Sequence, residues 1–263
     1  MKILMLLMGL EIGGAETHVV ELSKELTRMG HKITVASAGG VYTDEITGFG
    51  IPHITLPLDS KTPFSLLKSY FCLKKLIKKE NFDIVHAHAR IPAFICGKLS
   101  RRMGFKFITT AHFDFKVTPF YKRTSEWGEY QLAVSQDLKN YLVKNYGANP
   151  DNISVTINGI DTEKFKASRS VDALIKELGL DQNAKRVLYV GRIDEEVAEA
   201  ALLLAENAHK IAKRVPGTQI IIVGGGSAFD KLSVLADKSN ILAGYNCVTL
   251  TGPRTDIADF TAL

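Results

Sequence analysis

Residues 1–36 read MKILMLLMGLEIGGAETHVVELSKELTRMGHKITVA. A short apolar run, Lys2–Met8, passes through a Gly13-Gly14 turn into an amphipathic stretch, Ala15–Met29, and then into a second apolar run, Lys32–Ala36. Apolar runs without polar alternation mark strands buried on both faces, and a helix joining two of them is the crossover of a parallel sheet. The same alternation continues outward, with strands expected at His53–Leu56, Asp83–His86, Lys106–Thr110, Tyr130–Val134 and Ile153–Ile157. After a helical stretch at Val171–Leu178 the pattern restarts at Arg186–Val190, Gln219–Val223 and Cys247–Leu250, with helices at Val197–Arg214 and Ala228–Lys238. The fold class expected is therefore α/β, a pair of Rossmann-like parallel-sheet domains. Residues 1–165 form the first domain, 166–184 a linker with a helix, and 185–263 the second. Three strands are half of a doubly wound sheet, so the second domain is expected to be truncated. A last helix would open at Thr255–Asp256.

Composition narrows the class. With 46% hydrophobic and 23% charged residues, the chain is neither disordered, collagen-like nor a small disulfide scaffold. No apolar run reaches the ~18–20 residues of a membrane span. The opening segment, with one lysine and then an acidic glycine turn, follows no signal-peptide plan. Cys72, Cys96 and Cys247 lie far apart without metal-ligand spacing, so a reduced, cytoplasmic setting is expected. Net charge is +5, and from Lys185 onward the chain carries 9 basic and 9 acidic residues, so the excess lies wholly in residues 1–184.

Ligands of open α/β sheets bind beyond the carboxyl ends of the strands, so polar residues just after each run are the candidates. Gly13 and Gly14 open the first helix, where bare backbone N–H groups and the helix dipole favour an anion; without a ligand they are simply a tight turn. His86 and His88, two apart in DIVHAHAR, share one side of a strand. They could be a metal pair, but no nearby Cys or Asp completes a site, and no metal is expected. His112 ends the next run and suits a phosphate or sugar oxygen, or else a hydrogen-bonded loop. Ser135 reads as the N-cap of a following helix. In the second half, Gly191-Arg192, Gly224-Gly225-Gly226 and Thr251-Gly252 follow successive runs. Arg192 offers a planar fork for phosphate oxygens, and the glycines permit close backbone approach.

GGAETHVVELSKELTRMGHKITV, DIVHAHA, TTAH, AVSQDLKNYL, INGIDTEKF, VLYVGRID and IIIVGGG stand in the order found in retaining glycosyltransferases of family 4, and over essentially its whole length the chain resembles that family. The resemblance implies the GT-B fold, a nucleotide-sugar donor and no required cofactor or metal. It implies that Gly14, beside Gly13, meets the donor diphosphate and that His112 meets the transferred sugar or its phosphate. Arg192, after Gly191, would neutralise the leaving diphosphate, and Gly224–Gly226 would line the nucleotide. His86, His88 and Ser135 are acceptor-side candidates. Two departures stand out. Val197 occupies the place of the family's second phosphate-clamping lysine, and the acidic Glu-x7-Glu segment has no match in the chain. Losing one clamp on a developing charge costs about 2.7–4 kcal/mol by analogy with an oxyanion donor.

The expected function is sugar transfer, with retention, to a cell-envelope or glycolipid-type acceptor, with little activity from this 263-residue chain. The alternatives are a non-catalytic, degenerate relative acting as a binding or partner module, or a metal hydrolase using His86 and His88. Two basic stretches could meet anionic lipid at the inner face of a membrane. One is the helix Phe64–Lys79, with Leu66, Leu67, Tyr70, Leu73 and Ile77 on one side; the other is the loop at Phe115-Lys116, Phe120-Tyr121 and Lys122-Arg123. No nucleic-acid module accompanies the charge. An uncovered Arg186–Val190 edge would favour a homodimer.

Overall fold

The computed structural model describes all 263 residues and divides into two compact units, Met1–Gly159 and Ile160–Leu263. In the first, seven parallel strands lie in the order β3-β2-β1-β4-β5-β6-β7. They are β1 (Lys2–Leu6), β2 (Lys32–Ser37), β3 (His53–Thr55), β4 (Ile84–Ala87), β5 (Lys106–Ala111), β6 (Tyr130–Ala133) and β7 (Ile153–Val155). The connecting helices are α1 (Gly14–Arg28), α2 (Thr43–Gly48), α3 (Pro63–Glu80), α4 (Arg90–Met103), α5 (Pro119–Thr124) and α6 (Gln136–Tyr146).

The apolar opening run accounts for the central place of β1. Leu4 and Leu6 enter a core with Leu73 and Ile77 of α3 and Cys96 and Leu99 of α4. Ile3, Met5 and Leu7 point the other way, into a core with Val19 and Val20 of α1 and Ile46 of α2. A strand with no polar face must be covered twice, and each fully buried side chain of this size contributes about 1.5–3 kcal/mol. The register sets Met5 opposite His86 and His86 opposite Ile108, so the histidines at the end of β4 sit mid-sheet between β1 and β5. The His88 amide donates to the Leu6 carbonyl at 2.8 Å and carries the ladder one step past the strand.

Two surface segments differ from the pattern in the sequence. In α3, Ser69, Leu73 and Ile77 are buried, but Leu67 is 57% exposed and lies with Phe64 (78%) and Phe71 (57%) on the outer side. A spacing of three and four residues makes these an apolar stripe among exposed Lys68, Lys74, Lys75 and Lys78. The loop before α5, together with α5 itself, is split between two faces. The Arg90 guanidinium lies 3.5 Å from the Tyr121 ring centre and 4.7 Å from that of Phe115, while Phe113 and Phe120 are exposed.

The second unit holds a three-stranded parallel sheet in the order β10-β9-β8. Its strands are β8 (Arg186–Val190), β9 (Gln219–Val223) and β10 (Val248–Gly252), with α7 (Asp172–Leu178), α8 (Glu199–Arg214), α9 (Phe229–Ala243) and α10 (Ile257–Thr261). Central β9 is covered on both faces: Ile220 and Ile222 meet the small face of α8 (Ala201, Ala205, Ala208, Ala212), and Ile221 and Val223 meet Leu174, Ile175 and Phe260. Strand β8 pairs only with β9, and its Val187 and Val190 are exposed.

Candidate functional site

Parallel neighbours end side by side, so the polar residues after β1, β4 and β5 converge in the first unit. His86 is buried, and its Nε2 lies 2.7 Å from the Thr110 hydroxyl of β5. His88 projects to the same side, as a two-residue strand spacing requires, with its ring centre 3.9 Å from that of His86. His88 Nδ1 and His112 Nε2 stand 3.1 Å apart. His18, on α1 one turn beyond Gly14, closes the group at 5.0 Å from the His112 ring and 5.7 Å from the His88 ring, and it is hydrogen-bonded to Asn158.

Burial keeps this group neutral. Desolvation, then the neighbouring imidazoles His18 and His112, hold His86 down to about 3, and desolvation with His18 holds His112 down to about 4. His88 is pushed well below the ordinary histidine value by burial and by the three other rings, and burial also lowers His18. A neutral imidazole has one donor and one acceptor nitrogen. The His88–His112 contact uses one of each, whichever ring carries the shared proton. His88 Nε2 and His112 Nδ1 remain buried without a protein partner, so the pair presents one N–H and one lone pair.

Gly13 and Gly14 have different surroundings. A Cβ on Gly13 would lie 2.2 Å from the Glu16 carboxylate, which folds back over the start of α1. A Cβ on Gly14 would meet nothing within 4 Å, so there is free space on the side-chain side of that first-turn residue. The Ser135 hydroxyl accepts from the Leu138 amide at 3.1 Å, the capping role read from its sequence. A cavity of about 460 Å³ lined by Arg101, Glu126, Trp127 and Gln131 opens at the starting ends of β5 and β6, away from the histidines.

In the second unit, Arg192 is 65% exposed and lies 3.6 Å from Asp194, so its guanidinium is available. The glycines after β9 meet protein. A Cβ on Gly224 would fall 1.8 Å from the Gly191 carbonyl oxygen, and one on Gly226 would fall 2.6 Å from the Ile193 carbonyl carbon. The Ile193 amide donates to Gly225 at 2.9 Å, and the Ala228 amide donates to Ile193 at 2.8 Å, which zips the two loops together. A Cβ on Gly225 would lie 3.1 Å from the Pro253 ring, and one on Gly226 would lie 2.5 Å from the Asp194 carboxylate. Val197 is exposed.

His18 was not among the residues singled out from the sequence. The signal was its place four residues after Gly14, which puts both on one face of α1.

The profile described as Glycosyltransferase Family 4 matches residues 12–164, more than half of the chain. The chain belongs to this family. Among its relatives, it is 24% identical over 250 residues to the D-inositol 3-phosphate glycosyltransferase of Frankia alni, a match covering 82% of this chain and 61% of that protein. It is 31% identical over 219 residues to the UDP-Gal:alpha-D-GlcNAc-diphosphoundecaprenol alpha-1,3-galactosyltransferase of Escherichia coli, covering 73% of this chain and 52% of that one. A solved glycosyltransferase from Rickettsia africae matches with a TM-score of 0.77 at 23% identity, over 98% of this chain and 70% of that one. Anabaena HepE in complex with UDP and glucose matches with a TM-score of 0.76 at 20% identity, over 99% and 71%. These likenesses show the shared α/β fold, that of GT-B glycosyltransferases. The chain spans 61% and 52% of the length of the two curated relatives. No helix is long and apolar enough to cross a membrane.

Proposed function

We propose that this family-4 chain carries the donor and acceptor contacts of a glycosyltransferase that moves a sugar, with retention, from a nucleotide sugar to a cell-envelope or glycolipid-type acceptor. The observation that carries the reading is the meeting of polar groups at adjoining strand ends within the span matched to the family. Open space stands on the side-chain side of Gly14, and the neutral His88–His112 pair has two unpartnered ring nitrogens. When the glycosyl bond breaks, negative charge grows on the departing nucleoside diphosphate. The helix N-terminus at Gly14 is suited to stabilise such charge, because fixed dipoles do so without reorganising. His112, at the end of β5 beside Gly14's helix, is the residue assigned to the transferred sugar or its phosphate. Residues 1–165 serve the acceptor side and 185–263 the nucleotide sugar, joined by 166–184. The names of the relatives support the direction: one acts on a diphosphoundecaprenol-linked acceptor, and one structural neighbour holds UDP and glucose.

Because Val197 replaces the second clamp, we expect the 263-residue chain to bind a nucleotide sugar with little turnover. Incubation with UDP-, GDP- and ADP-sugars and a lipid-linked acceptor tests this: binding with turnover near background supports it, and robust transfer by the chain alone overturns it. Val197 also favours a second reading, a non-catalytic module that uses the same site to bind a partner or ligand. In that case V197K leaves turnover at background, whereas a weakened enzyme gains activity.

The exposed stripe of Phe64, Leu67 and Phe71 with its lysines, and the loop presenting Phe113 and Phe120 beside Lys116, Lys122 and Arg123, together fit peripheral contact with an anionic bilayer on its cytoplasmic side. Cosedimentation with vesicles of anionic lipid, and none with zwitterionic vesicles, is the expected result. The open edge of β8 fits a homodimer, which sedimentation velocity would detect as a concentration-dependent dimer.

A further inference from the structure

The histidine group also has the makings of a metal site. One ring nitrogen from each of His18, His88 and His112 lies within 4.8 Å of the other two. Tetrahedral Zn²⁺ with Zn–N bonds of about 2.0–2.1 Å sets its ligand nitrogens roughly 3.3 Å apart. His88 Nδ1 and His112 Nε2, 3.1 Å apart, are already near that spacing. His18 lies on α1 and is only partly buried, with its ring beside those of His88 and His112. The hydrogen bond of His18 to Asn158 fixes one of its ring nitrogens and leaves the other for a ligand, as outer-shell partners of metal-bound histidines do.

The outer nitrogens of the pair, His88 Nε2 and His112 Nδ1, have no protein partner and are therefore able to carry protons while the facing nitrogens bind a metal. When a metal takes the two facing nitrogens, the proton they shared moves to the other nitrogen of its own ring, so no net deprotonation is needed. His86 stays outside the set because its Nε2 is engaged by Thr110. Three neutral imidazoles and no carboxylate select a late transition metal over Mg²⁺ or Ca²⁺.

We propose that His18, His88 and His112 bind one late transition-metal ion, Zn²⁺ or a chemical neighbour, through three imidazole nitrogens, with a fourth position left for water or a ligand oxygen.

The test uses the metal alone. Co²⁺ is titrated into the full chain, read by the visible absorption of tetrahedral cobalt, and Zn²⁺ is then titrated against a chromophoric chelator. The result expected is one equivalent, with affinity lowered at least about tenfold in both H18Q and H112Q and unchanged in H209Q, whose site lies in the second unit. Circular dichroism confirms that the variants fold. No tetrahedral cobalt band, or a site that survives either H18Q or H112Q, overturns the proposal. No nucleotide enters the titration, so a failure of donor binding leaves this result untouched.

Discussion

Gly224→Ala separates a glycine required by packing from one left open for a ligand. Gly224 has φ +147°, a region that is almost wholly glycine's, and an added Cβ would fall 1.8 Å from the Gly191 carbonyl oxygen. That oxygen cannot simply retreat. The Gly191 amide is bonded to Val223 at 3.0 Å, and the Gly224 amide is bonded to Gly252 at 2.9 Å, so the loops are tied to the sheet on both sides. Backbone strain of ~1–3 kcal/mol and overpacking of ~1–3 kcal/mol together predict a loss of about 2–6 kcal/mol from the second unit. Gly14→Ala is the counterpart. Its Cβ meets nothing within 4 Å at the first position of α1, so stability is unchanged or rises by up to about 1 kcal/mol. The single tryptophan, Trp127, lies in the first unit, so fluorescence would miss the effect. Hydrogen exchange by mass spectrometry on peptides covering β8 and β9 reads it directly. A loss of 2 kcal/mol accelerates globally protected amides roughly 25-fold in G224A, and G14A leaves them unchanged. Exchange in G224A within twofold of wild type, or an equal acceleration in G14A, would refute the reasoning.

The depressed histidines make stability depend on pH. Between the ordinary value of 6.5 and about 4, the unfolded state protonates the His112 imidazole and the folded state does not, so stability is full above pH 6.5 and falls as the pH drops to about 4. The loss is roughly 3 kcal/mol for this residue. Urea midpoints across that range should fall for wild type and fall less for H112Q, and parallel slopes would count against the buried, neutral site. Thr110→Val strands the buried His86 Nε2 and should cost about 1–3 kcal/mol in urea denaturation; a change within 0.5 kcal/mol would mean another group serves that nitrogen. Arg192→Ala removes an exposed ion pair with Asp194, so stability should move by less than about 1 kcal/mol while affinity for a nucleoside diphosphate falls at least tenfold. A variant that melts early and binds normally would reassign Arg192 to structure.

The strands were legible because apolar runs such as Lys2–Leu6 and Gln219–Val223 leave no polar face, so a two-sided position in a parallel sheet follows from composition alone. Helix α4 was less legible. Its sequence, RIPAFICGKLSRRM, has no capping side chain at Ala89, a proline in the first turn and Gly97 in the middle, and packing of Ile95, Cys96 and Leu99 overrides those signals. The pairing of His86 with His88 followed from the strand period, and the alignment of β4 with β5 brought in His112. His18 needed the third dimension, since nothing local says which strand ends a helix face will meet. The glycines show the same limit. Gly14 and Gly224 both read as places where a backbone can approach something closely, and only the structure distinguishes open space from the Gly191 carbonyl.

We propose that this family-4 chain binds a nucleotide sugar, with Gly14 and His112 of its first unit among the contacts. Isothermal titration of UDP-, GDP- and ADP-sugars into the wild-type chain tests this most directly, with Gly14→Val and His112→Ala alongside. Saturable binding of at least one donor, weakened at least tenfold by each substitution while the fold is kept, is the expected result. A chain that binds none of the three, or binds one equally well in both variants, would contradict the proposal.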